Sequence, residues 1–205
     1  FCFVGLVGAR DIEFEQVVID HHAIGHREVG DIDGDGYNDI VVRTDSQLLW
    51  YKYPDWTKHA IVEKAEFRGD DMEIGDVDGD GDIDIIATIS DAGRVYWYSN
   101  PRPAGNPAKD TWQKKYIGAS EKSKVDVKEA TYYVAPGDET RYVKDIEVAD
   151  FDRDGKLDVV TRTHGDVYIW LQQNPSSWKM VHLGIRYHEG MDVADLDRDG
   201  DADIV

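Results

Sequence analysis

The chain has 205 residues, 41% hydrophobic and 11% aromatic, enough to bury a sizeable core. Its 42 acidic against 23 basic residues give a formal net charge of −19. That excludes a nucleic-acid backbone or an anionic membrane surface as partner, because both demand a basic face.

The N-terminal "FCFVGLVGARD" holds the single cysteine, Cys2, so an intrachain disulfide is excluded. Residues 1–9 end on Val7-Gly8-Ala9, a small-x-small pattern, and read as the remnant of a secretory signal. The competing reading is a buried first strand. No apolar run approaches the ~20 residues of a membrane-spanning helix. A secreted, periplasmic or cell-surface location suits a chain of this kind.

Residues 10–205 are organised by a repeat. "GDIDGDGYND" (Gly30 to Asp39) returns as "GDVDGDGDID" (Gly75 to Asp84), "ADFDRDGKLD" (Ala149 to Asp158) and "ADLDRDGDAD" (Ala194 to Asp203). The spacings between copies, 45, 74 and 45 residues, define a unit of about 45 with an insertion, residues 118–141, before the third copy. An acidic, branched and small triplet precedes each copy, as in Glu28-Val29-Gly30, and a β-branched run follows, as in "IVVRT". An aromatic strand ("QLLWYKY", "RVYWYSN", "DVYIWLQ"), a proline or asparagine-proline turn and a last strand ("WTKHAIV", "WQKKYIG", "WKMVHLG") complete the unit. Each unit therefore reads as four short strands, a to d, with units starting near residues 26, 70, 143 and 188.

Four-stranded units of this length predict an all-β fold, a β-propeller of four-stranded blades. "FEQVVID" (Phe14 to Asp20) matches a strand d, so the chain holds an offset first strand and about three and a half blades. Such a chain is expected to be part of a longer ring of six to eight blades.

The repeated loop reads D-x-D-x-D-G-x-x-D. Carboxylates at positions 1, 3, 5 and 9, a glycine at 6 and a backbone carbonyl at 7 suit a hard cation. The ligands expected are Asp31, Asp33, Asp35, Tyr37 and Asp39; Asp76, Asp78, Asp80, Asp82 and Asp84; Asp150, Asp152, Asp154, Lys156 and Asp158; and Asp195, Asp197, Asp199, Asp201 and Asp203. All-oxygen ligation selects calcium over zinc or copper, and a flexible protein cage favours it over magnesium, with one ion per loop and up to four in all. The flanks are strands and position 12 lacks a carboxylate, so an EF-hand is excluded. Eighteen of the 42 acidic residues lie in these loops; without them acids and bases nearly balance.

"VGDIDGDGYNDIVV", "IGDVDGDGDIDIIA" and "VADFDRDGKLDVVT" resemble FG-GAP/VCBS-type repeats, the blades of integrin-α-like propellers, over roughly residues 14–205. The Phe-Gly and Gly-Ala-Pro marks of the integrin version are absent, so the resemblance is to the looser bacterial type. It implies a propeller with calcium in the a–b loops, in secreted or surface proteins often linked to polysaccharides. It does not fix one activity.

Propeller topology places the a–b loops and c–d turns on one face and the d–a connections and b–c hairpins on the other. The calcium loops then read as structural, and recognition is expected on the opposite face. That face carries the insertion with Tyr132 and Tyr133, and a ring at the channel mouth that includes His26, Asp71 and Asp145. His26, His164 and His188, with Tyr187 and Arg162, are candidates for a base, an acid and a carboxylate-neutralising cation in β-elimination from a uronic acid. The column Glu28, Glu73, Glu147 and Asp192 is expected to hold backbone or basic partners. The aromatics of strands c and the c–d turns, Tyr53 and Trp56 among them, are expected to be core between blades. The function expected is a calcium-stabilised extracellular module binding glycan or protein without catalysis. The alternative is the propeller of a polysaccharide lyase or sugar dehydratase with its site at the channel mouth.

Overall fold

The computed structural model describes residues 15–67, 71–89, 93–119, 143–163, 166–184 and 190–205. Among these the chain is all-β. The first sheet joins β1 (His26–Gly30), β2 (Asp39–Arg43), β3 (Leu48–Lys52) and β4 (Thr57–Val62) in sequence order. The second joins β5 (Met72–Gly75), β6 (Asp84–Ile89), β7 (Arg94–Ser99) and β8 (Gln113–Ala119), and the third β9 (Asp145–Ala149), β10 (Asp158–Arg162), β11 (Asp166–Asn174) and β12 (Ser177–Gly184). A two-stranded pair, β13 (Val193–Ala194) and β14 (Asp203–Ile204), follows. Every pairing is antiparallel, and the sheets are not closed into a ring.

The second sheet is sandwiched between the first and the third, and the sequence shows such covering. In β10 all five residues are buried, which is what a strand covered on both faces requires. Along β7 alternate side chains serve different interfaces. Tyr98 joins Val41, Leu48 and Trp50 of the first sheet, while Val95 and Trp97 join Ile146, Val159 and Tyr168 of the third. Full burial of side chains of this size contributes roughly 1.5–3 kcal/mol each. The outer strands β4 and β12 are largely exposed.

The first strands of the sheets lie side by side, β1 against β5, β5 against β9 and β9 against β13, so strand a is innermost. This explains the small residue closing the conserved-looking triplet within the chain. A Cβ on Gly30 would sit 2.8 Å from Ile74 Cδ1, and one on Gly75 would sit 2.6 Å from Leu157 Cδ2.

Two expectations need correction. Residues 15–20 form no strand. This segment lies against the first sheet instead. Ile19 and Ala23 pack on Val42, Leu49 and Tyr51, and Asp20 accepts hydrogen bonds from Tyr51 Oη (2.7 Å) and Lys58 Nζ (3.0 Å). The second correction concerns the aromatics. Trp50, Tyr51, Trp97, Tyr98, Tyr168 and Trp170 are buried, but Tyr53 is 39% exposed. Tyr53 stacks on Tyr37 of the first aspartate loop and meets Trp56 edge-on, both at 5.4 Å between centroids. The turn leaves Tyr37 and Tyr53 at the surface, while Trp56 is half-buried against Val42, Leu49 and Tyr51.

Candidate metal centres

The aspartate loops connect β1 to β2, β5 to β6, β9 to β10 and β13 to β14. They share one hydrogen-bond plan. The first aspartate accepts from the backbone N–H groups of positions 5 and 6: Asp31 from Asp35 (3.0 Å) and Gly36 (2.9 Å), Asp76 from Asp80 and Gly81 (both 3.0 Å), Asp150 from Asp154 (3.0 Å) and Gly155 (2.8 Å). In the fourth loop Asp195 accepts from Gly200 (3.1 Å). The fifth position accepts from the seventh N–H in every copy, as Asp35 does from Tyr37 (3.0 Å). Position 6 is left-handed throughout, with φ of 90°, 89°, 83° and 92° at Gly36, Gly81, Gly155 and Gly200.

The ninth aspartate braces the loop from below. Asp84 accepts from Asn100 N (2.8 Å) and Val77 N (3.0 Å), and Asp158 from Gln172 N (2.7 Å) and Phe151 N (2.9 Å). Asp39 accepts from Tyr53 N (2.9 Å), and Asp203 from Leu196 N (2.9 Å). Asp39, Asp84 and Asp158 are fully buried.

This plan gathers the carboxylates of positions 1, 3 and 9 in the first three loops. One oxygen from each of Asp31, Asp33 and Asp39 lies within 4.8 Å of the others, and the same holds for Asp76, Asp78 and Asp84, and for Asp150, Asp152 and Asp158. In the fourth loop the triad is Asp195, Asp197 and Asp199, all exposed. Asp35, Asp80, Asp154, Asp203 and the position-7 residues Tyr37, Asp82, Lys156 and Asp201 stand outside these triads.

The electrostatics show what the triads lack. Burial, reinforced by nearby aspartates, pushes the Asp84 carboxyl up to about 8 and that of Asp82 up to about 7. Asp33 Oδ1, Asp78 Oδ1 and both carboxylate oxygens of Asp82 are buried without a hydrogen-bond partner. Buried carboxylates are costly unless a donor or cation compensates them. Ammonium groups do so in part: Lys52 contacts Asp33 and lies 2.5 Å from Asp35, and Lys115 lies 3.5 Å from Asp78. In the third loop Lys156 contacts Asp154, and Arg153 reaches Asp199 and Asp201 of the fourth. Orphaned carboxylate oxygens converging in an all-oxygen set fit a hard cation.

The residues expected at a channel mouth have a different character. His26 Nδ1 lies 3.6 Å from Asp71 Oδ1, and Asp71 Oδ2 accepts from Ile146 N (3.2 Å). Arg162 is buried and held by Asp145. His26 and Arg162 are thus each held by an aspartate at the start of a strand a. His164, Tyr187, His188, Tyr132 and Tyr133 lie outside the described residues, as does most of the insertion.

The acidic column finds backbone partners in two places, Glu73 Oε2 accepting from Ile74 N (3.2 Å) and Asp192 Oδ1 from Val193 N (2.8 Å), but not the basic ones. Among the described residues no basic side chain pairs with Glu28, Glu73 or Glu147. The carboxyl of Glu73 is pushed up to about 8, first by burial and then by Glu28, Glu147 and Asp71. That of Glu147 is pushed up to about 7, and that of Glu28 is raised too. Because β1, β5 and β9 lie side by side, their acidic residues come close enough to raise one another's carboxyls.

Sequence reasoning missed the c–d loop of the second unit. Residues 101–112 replace a turn of a few residues. They are ordered by Asp110 N donating to Asn106 O (2.8 Å) and Trp112 Nε1 donating to Pro107 O (3.0 Å). The loop's Arg102 lies against Gly34 of the first aspartate loop. A cleft of about 440 Å³ opens there, lined by Asp33, Lys52, His59, Arg102 and Asn106, and one of about 500 Å³ opens between the second and third aspartate loops. The signal was available: the distance from the aromatic strand to the next tryptophan is longest in this unit.

The family model for the FG-GAP-like repeat matches residues 31–87 and 150–205, which include all four aspartate loops. No curated protein matches the chain. With more than half of the chain matched, four-stranded antiparallel sheets and an aspartate triad in each a–b loop, the chain belongs to the FG-GAP-like repeat family.

Proposed function

We propose that this chain is a calcium-stabilised, extracellular propeller module that binds glycan or protein and does not itself catalyse a reaction. The observation that carries the calcium reading is the buried, unpartnered carboxylate oxygen on Asp33 and on Asp78, each a member of an aspartate triad. Asp31, Asp33 and Asp39, with their counterparts in the other loops, would hold one calcium each, joined by Asp35 and by the carbonyl of Tyr37 or its equivalents. Calcium would supply positive charge beside Asp39, Asp84 and Asp158, whose carboxyls burial otherwise pushes towards the neutral form. Family membership supports a secreted or surface location, and no helix among the described residues is long and apolar enough to cross a membrane.

The binding reading rests on the family and on segments that do not repeat. These are the 118–141 insertion and the 101–112 loop beside the first metal loop. Two experiments test the proposal. Calorimetric titration with calcium chloride should show uptake near the 10⁻⁴–10⁻³ M range of extracellular modules, with magnesium much weaker. A chain that takes up neither ion refutes the metal reading. A glycan array probed with the intact chain, and with residues 118–141 replaced by a short turn, tests the partner. Equal binding by both removes the insertion from the account.

A further inference from the structure

The loops are not independent of one another. Asn100 follows β7 and Gln172 lies near the end of β11, the same place in successive sheets. Both are almost fully buried, at 3% and 2% exposure. The Asn100 amide donates to Ile83 O (3.1 Å), position 8 of its own aspartate loop, and to Ile32 O (3.0 Å), position 2 of the preceding one. Gln172 does the same one sheet later, donating to Leu157 O (3.0 Å) and to Val77 O (2.8 Å). Each residue also donates its backbone N–H to the ninth aspartate of its own loop, Asp84 or Asp158. One residue thus grips two metal loops at groups adjoining the ligand positions. Position 2 sits between the first and third aspartates, and position 8 precedes the ninth.

We propose that Asn100 and Gln172 are positioning residues that couple neighbouring metal loops, so that ion uptake by one loop raises the affinity of the next. The inference rests on the metal reading above. An ion that orders one loop fixes its carbonyl, the carbonyl fixes the shared amide, and the amide holds the next loop's carbonyl in place. The second ion then meets a loop whose ordering cost has been lowered. The side chains of Ile32 and Val77 at position 2, and of Ile83 and Leu157 at position 8, also pack in the apolar clusters between sheets, so the amide's share of the coupling is what replacing the amide isolates. The two residues differ by one methylene, yet both place an amide NH₂ between the same two carbonyls, so the donor is what the position demands. Tyr53 occupies the equivalent place after β3 and has no amide. The coupling therefore runs from the first loop through the second to the third.

The test reads one loop while another is disabled. Terbium, a calcium stand-in, is excited through nearby tyrosine, and Tyr37 lies within the first loop. The luminescence that Tyr37→Phe removes therefore reports that loop, with calcium as competitor. In the parent chain, Asp78→Asn in the second loop should weaken terbium binding at the first by about fivefold or more, the scale of an ordinary coupling between sites. In an Asn100→Met background the same substitution should weaken it less, and Asn100→Gln should restore the effect. A weakening of equal size in both backgrounds, or none in either, overturns the coupling while leaving the metal sites intact. A parent chain that takes up neither terbium nor calcium refutes the metal reading itself, and the coupling with it. Should Asn100→Met fail to fold by circular dichroism, Gln172→Met carries the test at the second junction. There the calcium isotherm should lose cooperativity, and an unchanged isotherm counts against the proposal.

Discussion

Glu73→Gln should stabilise the chain, and only at high pH. Glu73 sits on β5 among Glu28, Glu147 and Asp71, with its carboxyl pushed up to about 8 from an ordinary 4.5. In the folded chain it is neutral at pH 6, whereas in the unfolded chain it is ionised. Between about pH 4.5 and 8 the folded state therefore binds the extra proton, and stability falls as pH rises through that window. At 1.36 kcal/mol per pH unit the difference corresponds to about 5 kcal/mol as an upper bound. Glu73 is only half-buried, so solvent screens the neighbouring charges, which leaves on the order of 2 kcal/mol at pH 9. Glutamine keeps an acceptor for Ile74 N, which bonds Glu73 Oε2 at 3.2 Å, and cannot ionise. Urea unfolding at pH 5 and pH 9, at fixed calcium, should show a small effect at the first and a gain of about 2 kcal/mol at the second. A variant equally or less stable than the parent at both pH values would refute the repulsive column and restore the expectation of paired acids.

Other outcomes follow from the same geometry. Chelator should lower the melting temperature at neutral pH, and the metal-free chain should grow less stable between about pH 4 and 8, because Asp82 and Asp84 hold protons folded that they lose unfolded. Saturating calcium should abolish that part of the slope, and a slope that ignores calcium would count against these residues as neighbours of an ion. Gly81→Ala places a methyl in open space at φ +89°, so any loss comes from the backbone alone; about 1 kcal/mol is expected by urea unfolding, and no loss would mean the turn relaxes. Gly118→Ala should cost about 1–3 kcal/mol by the same assay, because its Cβ would collide with the Trp170 ring, which Thr161 Oγ1 holds through the indole N–H at 3.0 Å.

The sequence announces those parts of the molecule that obey a local rule. The loop register is legible because position 6 needs a left-handed residue and glycine stands there four times. Position 4 needs one as well, and there the sequence misleads. Gly34 and Gly79 satisfy it openly, but Arg153 and Arg198 adopt φ of 60° and 66° with no visible mark. The four strands per unit are legible from their β-branched and aromatic runs and the turn residues between them, although strands such as β10 are buried at every position and do not alternate. What escapes are facts created by placing one unit beside another. Glu28, Glu73 and Glu147 look like a regular column with partners, and become mutually repelling only once strands a lie side by side.

Asn100 and Gln172 show the same limit from the other side. In sequence they are two polar residues at the end of an aromatic strand, in the unremarkable company of prolines and asparagines. Their difference in length hides their equivalence. Only the pairing of each amide with carbonyls 68 and 95 residues earlier reveals that they do one job. The repeat therefore carries two kinds of information. The aspartates state a chemistry that a single loop can express, and so recur almost letter for letter. The amides state a relation between loops, which tolerates any side chain able to deliver two N–H groups to the same place. A search for function in repeat chains of this type should weigh buried amides at blade junctions alongside the loops themselves, because a ligand or ion bound at one loop reaches its neighbour through them.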